Sequence, residues 1–225
     1  MLLKLKQMVV EYGEKIVKEG LVVATWGNLS AREEDKDLFV ITPSGLNYNT
    51  LSPEDIVAVD FAGNPIDNSK KPSVETPMHA AIYRARADVK AIIHTHSINA
   101  SACAASRTEI PCIMEDIASM VGGPVKVAKY APTGTQELAE NVVAALEHRN
   151  AVILANHGVV TVGSCLEEAF KLSLMVEKTA EIFIKSKILG QPYSLNLSEV
   201  CRLKDFYVRC YGQEGKNRKE ESGIA

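Results

Sequence analysis

The stretch AIIHTHSINA places His94 and His96 two residues apart at the end of an apolar run, in a chain that holds only five histidines. In an extended strand, residues i and i+2 face the same side. The pair therefore presents two imidazoles together, as adjacent ligands of one metal ion require. Chance also produces such pairs, with each histidine an ordinary core or surface residue. A third, His157, stands in ANHGVV at the end of another apolar run, where Gly158 permits close backbone approach. Three imidazoles with one coordination position left open form the pattern of a catalytic zinc site rather than a structural one. The alternative for His157 is a hydrogen-bonded core histidine, and spacing alone leaves both readings open.

The other two histidines fit less well. His148 lies in ALEHRN at an expected helix end, where a cation is favoured by the helix dipole. His79, in ETPMHAAIYR, reads as a packing residue or one that supports the site from behind.

A carboxylate would complete the chemistry. In KPSVETPMH (71–79), Ser73 is the expected N-cap and Glu75 falls in the first turn of a helix. A glutamate there can simply complement the helix dipole. Beside a metal it can also move protons to and from carbon. The same helix start offers unpaired N–H groups to an anion such as phosphate. Two more polar turns, TWGNLSAR (25–32) and ITPSGLNY (41–48), carry hydroxyls and glycine amides suited to a phosphate nest. Neither matches the GxxxxGK[ST] or GxGxxG phosphate loop, and ordinary turns use the same residues.

These residues need elements to hold them. Leu2, Leu5, Met8, Val9, Ile16 and Val17 recur at helical spacing, with Gly20 as the stop. The runs LFVIT (38–42) and IVAVD (56–60) read as strands, the second before a turn at Gly63-Asn64. A helix is expected through 80–86, then the buried strand VKAIIHTH, then a helix over 98–106. Thr133 and Gln136 have capping-box spacing before ELAENVVAALEHR. AVILANHGVVTVG reads as a buried strand turning at His157-Gly158. Ser164 and Glu167 then open a long helix whose interior lacks Gly and Pro. Clustered, hairpin-like early strands mixed with helices point to a mixed or antiparallel sheet covered by helices.

At 225 residues, without internal repeats or a Pro/Gly/Ser-rich linker, the chain reads as one domain able to bury its own core. A net charge of −3 gives no bulk attraction to nucleic acid or an anionic membrane. No apolar run approaches the roughly 20 residues of a membrane span. The N-terminal stretch alternates apolar and charged residues, unlike a signal peptide. Five scattered cysteines with no CxxC pair suit free thiols in a reducing cytoplasm, the expected location.

In order along the chain, GNLS, TPSG, KPSVE, HTHS, YAPTGTQELAENV and NHGVVTVG resemble the motifs of the class II aldolase and adducin family, over residues 20 to about 185. Within it the likeness is to the L-fuculose-1-phosphate aldolase branch. The resemblance implies a three-layer α/β/α fold with a central, mostly antiparallel sheet. It implies a single domain over 1–212, with 213–225 a polar tail, assembled as a homotetramer with its active sites at subunit interfaces. A divalent metal, generally Zn²⁺, would be held by His94, His96 and His157, although Mn²⁺, Co²⁺ or Fe²⁺ also suit three imidazoles. Glu75 would be the acid/base, and Asn28, Ser44, Gly45 and Ser73 would bind the phosphate of a sugar phosphate. Tyr211 would match a tyrosine supplied across a subunit boundary. The implied reaction cleaves a ketose 1-phosphate to dihydroxyacetone phosphate and a short aldehyde, lactaldehyde for L-fuculose 1-phosphate.

Two positions depart from the fuculose-phosphate aldolase pattern. Val74 replaces the second serine of KPSSE, removing one hydroxyl donor for phosphate. Glu115 stands where those aldolases place a tyrosine that protonates the leaving aldehyde. The departures keep L-ribulose-5-phosphate 4-epimerase and 5-methylthioribulose-1-phosphate dehydratase open. A non-catalytic scaffold like the adducin head is the contrasting class, and the full histidine set with Glu75 argues against it.

Overall fold

A computed structural model of the chain describes residues 2–33, 36–66 and 70–210. The apolar spacing of the first segment forms α1 (Leu2–Lys18), which buries Val9, Tyr12 and Ile16 and carries Lys15 and Lys18 in its last turn. Gly20, at φ 67°, ends it, and the Leu21 N–H returns to the Ile16 carbonyl.

Among the described residues the strands are β1 (Asn28–Arg32), β2 (Leu38–Ile41), β3 (Val57–Asp60), β4 (Ala91–Thr95), β5 (Lys126–Ala128), β6 (Ala151–Leu154) and β7 (Gly158–Gly163). They form one sheet in the order β3-β2-β1-β4-β7-β6-β5. Every pairing is antiparallel except β5 with β6. The remaining helices are α2 (Thr76–Ala85), α3 (Ile98–Ala105), α4 (Glu115–Val121), α5 (Gln136–Leu146), α6 (Leu166–Leu189) and α7 (Leu197–Cys210).

Strand alternation sends side chains to two cores. Phe39, Ile41, Val57, Val59, Ile92, Val152, Val160 and Val162 pack on one face against α2 and α5. Leu29, Val40, Ala58 and Ile93 face α1 and the start of α6 on the other. That second layer continues with Ile153 and Val159 under α3, α4 and the middle of α6. The result is the expected α/β/α arrangement around a mostly antiparallel sheet. α7 packs on α4 through Val200 and Leu203. The expected domain boundary at 212 and the tail 213–225 lie outside the described residues.

Several local expectations need correction. The residue at the N-cap of α2 is Glu75, not Ser73. Ser73 instead shapes the preceding turn, where its Oγ accepts from Glu75 N at 3.2 Å and its carbonyl accepts from Thr76 Oγ1 at 2.7 Å. α5 is capped by Thr135, whose side chain accepts from Leu138 N, and not by Thr133. At α6, Cys165 occupies the N-cap, and Ser164 donates from its backbone and hydroxyl to Glu168 rather than Glu167. The run AVILANHGVVTVG is a hairpin of two strands, β6 and β7, joined by 155–157.

Residues 28–32, expected as part of a polar turn, form β1 in the middle of the sheet. Leu29 and Ala31 alternate with Asn28 and Ser30, but the polar face is buried as well, through specific hydrogen bonds that a five-residue stretch does not announce. Strand β5 and the helices α4 and α7 carry no cap or periodicity signal used above.

Candidate metal centre and catalytic cleft

Strand β4 brings His94 to its C-terminal end on the α2 side of the sheet, since Ile92 two residues earlier packs in that core. The strand ends at Thr95, and His96 follows in a turn where its N–H donates to the Leu21 carbonyl. The β6–β7 turn supplies His157, held by its own N–H to Leu154 O at 3.0 Å. Asn156 beside it takes φ 57°, a conformation asparagine tolerates. One ring nitrogen from each of His94, His96 and His157 falls within 4.8 Å of the others. The ring centroids are 4.7, 4.8 and 4.9 Å apart, with the planes near-perpendicular.

The donor set fits a cation. His94 Nδ1 lies 3.0 Å from the Val159 carbonyl, which can only accept, so that nitrogen carries the hydrogen. In a neutral ring Nε2 is then a lone pair. It faces His96 Nε2 at 2.8 Å and Glu75 Oε2 at 3.1 Å, so electron pairs converge on one point. Burial pushes His94 down to about 3 and His157 down to about 4, and lowers His96, so the rings stay neutral and available as ligands near pH 7. Backbone space at this point is minimal. A Cβ on Gly158 would meet Thr95 O at 2.4 Å and the rings of His96 and His94 at 3.0 and 3.1 Å. Gly27, at φ 83°, is similarly confined, since a Cβ there would meet the His94 carbonyl at 2.7 Å.

Glu75 is only 4 % exposed. Its Oε2 accepts from Asn28 Nδ2 at 2.8 Å, while Oε1 is buried without a hydrogen-bond partner, 3.7 Å from His157 Nε2. A buried, unpartnered carboxylate oxygen is costly unless something else engages it. His79 takes no part in the histidine cluster. It lies fully buried behind Asn28, with burial pushing it down to about 3.

A cleft of about 100 Å³ opens over these groups, and Asn28, Ser44, Gly45, Ser73, Glu75, His96 and His157 all line it. The four residues expected to bind phosphate thus share one cavity with the carboxylate and two of the histidines. Sequence reasoning missed Trp26, whose ring sits 5.7 Å from that of His96, and Thr133, which also lines the cleft. In the sequence Trp26 was legible only as part of a polar turn and Thr133 only as a helix-cap candidate. Val74 lines the same cleft and is 61 % exposed. Glu115 is exposed in the first turn of α4 and His148 is exposed beyond α5; neither lines the cleft. Tyr211 lies outside the described residues.

The family described as class II aldolase and adducin N-terminal domain matches residues 7–184. A 5-deoxy-D-ribulose 1-phosphate aldolase of Bacillus thuringiensis is 36% identical over 95% of this chain and 100% of its own length. A probable L-ribulose-5-phosphate 4-epimerase of Mycoplasma pneumoniae is 35% identical over 96% of each chain. Among solved structures, an L-fuculose 1-phosphate aldolase superposes with a TM-score of 0.88 at 38% identity, covering 91% of this chain and 96% of its own.

Proposed function

The chain belongs to the class II aldolase and adducin family and is an aldolase-type lyase, and from that premise we propose that it cleaves a ketose 1-phosphate such as L-fuculose 1-phosphate to dihydroxyacetone phosphate and a short aldehyde. The observation that carries this reading is Glu75, whose unpartnered oxygen is set beside the imidazoles in the cleft that Ser44, Gly45 and Ser73 also line.

His94, His96 and His157 would hold a divalent cation, Zn²⁺ before Mn²⁺, Co²⁺ or Fe²⁺, which would supply Lewis-acid polarisation of the ketose when bound. Ser44, Gly45, Ser73 and the second amide hydrogen of Asn28 hold the phosphate, which places C3 beside Glu75. Phosphate binding is thereby used for positioning. When the C3–C4 bond breaks, its electron pair stays on C3, and the C4 hydroxyl gives its proton to Glu75 as it becomes the aldehyde. Glu75 delivers a proton to C3 and, in the reverse direction, removes it. Val74 contributes no hydroxyl, so the phosphate has one donor fewer than in the KPSSE pattern.

The same chemistry accommodates 5-deoxy-D-ribulose 1-phosphate, named for the Bacillus relative, with acetaldehyde as the second product. The likeness to a 4-epimerase favours one other reading, in which the aldehyde fragment rotates and re-adds without leaving. We take the assembly to be a homotetramer with its cleft at a subunit boundary, supported by the exposed Trp26 and Val74 at the cleft. Tyr211 would reach a neighbouring cleft there. Cytoplasmic location is supported by the free cysteines, including the buried Cys103 and Cys112.

Incubation with L-fuculose 1-phosphate, 5-deoxy-D-ribulose 1-phosphate and L-ribulose 5-phosphate separates these readings. Dihydroxyacetone phosphate should appear from at least one of the two 1-phosphates. Conversion of L-ribulose 5-phosphate to xylulose 5-phosphate, with no release from either 1-phosphate, would replace the aldolase by the epimerase.

A further inference from the structure

Behind Glu75 runs a line of side chains that the reaction above does not use. Asn28 Nδ2 donates to Glu75 Oε2 at 2.8 Å, and Asn28 Oδ1 lies 2.6 Å from His79 Nε2. His79 Nδ1 is 2.6 Å from Ser30 Oγ, which in turn is 2.7 Å from Tyr83 OH. All these residues are buried, Asn28 the most exposed at 5 %.

The arrangement follows from two matching repeats. Glu75, His79 and Tyr83 are spaced by four along the start and body of α2, an axial step of about 6 Å. Asn28 and Ser30 are spaced by two along β1, a step of about 6.6 Å. The helix and strand therefore mesh, with each side chain of one element between two of the other. Because β1 pairs with β4 at Asn28 and His94, the line is anchored to the strand that carries a metal-ligating residue.

We propose that His79 is a positioning residue, whose Nε2–H holds the Asn28 amide in the one orientation that donates to Glu75. This rests on the reading of Glu75 as the acid/base. A carboxylate can only accept, so the Asn28 amide must turn its nitrogen toward Glu75 and its oxygen toward His79. That oxygen also only accepts, so His79 Nε2 must be the donor. The Nδ1 of a neutral ring is then a lone pair that takes the Ser30 hydroxyl hydrogen, and Ser30 Oγ takes the one from Tyr83. Every hydrogen bond thus points the same way, from Tyr83 through Ser30, His79 and Asn28 to Glu75. Bonds aligned in this way polarise and stiffen one another in a dry interior. Without His79 the Glu75 carboxylate alone favours this orientation, and the Asn28 amide loses the partner that fixes its oxygen side.

The first test needs no variant. Long-range proton–nitrogen correlation on the metal-free wild-type protein should show His79 with hydrogen on Nε2 and none on Nδ1. Hydrogen on Nδ1 overturns the proposal. The second test compares His79→Gln, which keeps an N–H donor near the Nε2 position, with His79→Phe, which fills the space without one. His79→Phe should lower kcat by about 10- to 100-fold, the scale of a small misplacement at a reacting group. Its metal content should stay at the wild-type value. KM should rise by less than kcat falls, because the Asn28 amide also faces the phosphate. His79→Gln should recover most of the loss. Equal losses in both variants, or a change confined to KM, overturn it. Proton exchange at C3 of dihydroxyacetone phosphate in deuterated water, followed alongside, reports on Glu75 without any aldehyde. If the wild type shows neither exchange nor cleavage, the aldolase reading fails, while the ring hydrogen still decides the role of His79.

Discussion

Glu75→Gln should keep the divalent ion and lower the kcat for dihydroxyacetone phosphate release by about 10²- to 10⁴-fold, the usual contribution of a positioned acid or base. The substitution preserves shape, and its amide oxygen can still accept from Asn28, which now contacts the carboxylate at 2.8 Å. What it removes is a group that exchanges a proton with carbon. None of the three clustered imidazoles is displaced, because they are positioned by Val159 O, Leu21 O and the β6–β7 turn rather than by Glu75. Metal analysis and turnover measured on the same preparation separate the two effects. Turnover at the wild-type rate would remove Glu75 from its role.

His94→Ala should abolish both metal binding and activity. His94 is the most constrained of the three, with 0 % exposure and its Nδ1 anchored on Val159. Its Nε2 is the point on which His96 and Glu75 converge. Losing a group that merely supports a ligand already costs roughly 10- to 100-fold in metal affinity, so losing the ligand itself should cost more. The ion content after dialysis gives the readout, and a thermal melt on the same sample shows whether the sheet persists. A variant that stays folded and keeps its metal would show that the cluster is not the site.

The parts of this site that were legible in the sequence are those that depend on short, regular spacing. His94 and His96 read as a pair because they stand two residues apart at the end of the apolar run that forms β4, although His96 falls just past the strand. Gly158 marked the close approach at His157, now visible as a Cβ position 2.4 Å from the Thr95 carbonyl. The seven-stranded sheet itself was legible only as a class, since strands such as LFVIT announce themselves and β1 does not. Asn28 and Ser30 are buried by partners 47 to 53 residues away, and no local pattern reports a contact at that range. His79 could be read from the sequence as a packing or supporting residue, but its partners could not, because they are set by the mesh of α2 with β1. Cap positions at Ser73, Thr133 and Ser164 slipped by one or two residues because α5 has two threonines near its start, while α2 and α6 place Glu75 and Cys165, not favoured capping types, at the N-cap. Trp26 and Thr133 joined the cleft through loops, where side-chain direction follows no fixed period.

The central claim, a metal-dependent cleavage carried out by the His94, His96, His157 and Glu75 constellation, meets its most direct test in one measurement. Dihydroxyacetone phosphate release from the active ketose 1-phosphate is followed in the protein as purified, after exhaustive chelation, and after return of Zn²⁺. Release should vanish with the metal and recover when it is restored, while the Glu75→Gln protein stays inactive with its metal in place. Release that continues at an unchanged rate in fully metal-free protein would contradict the account.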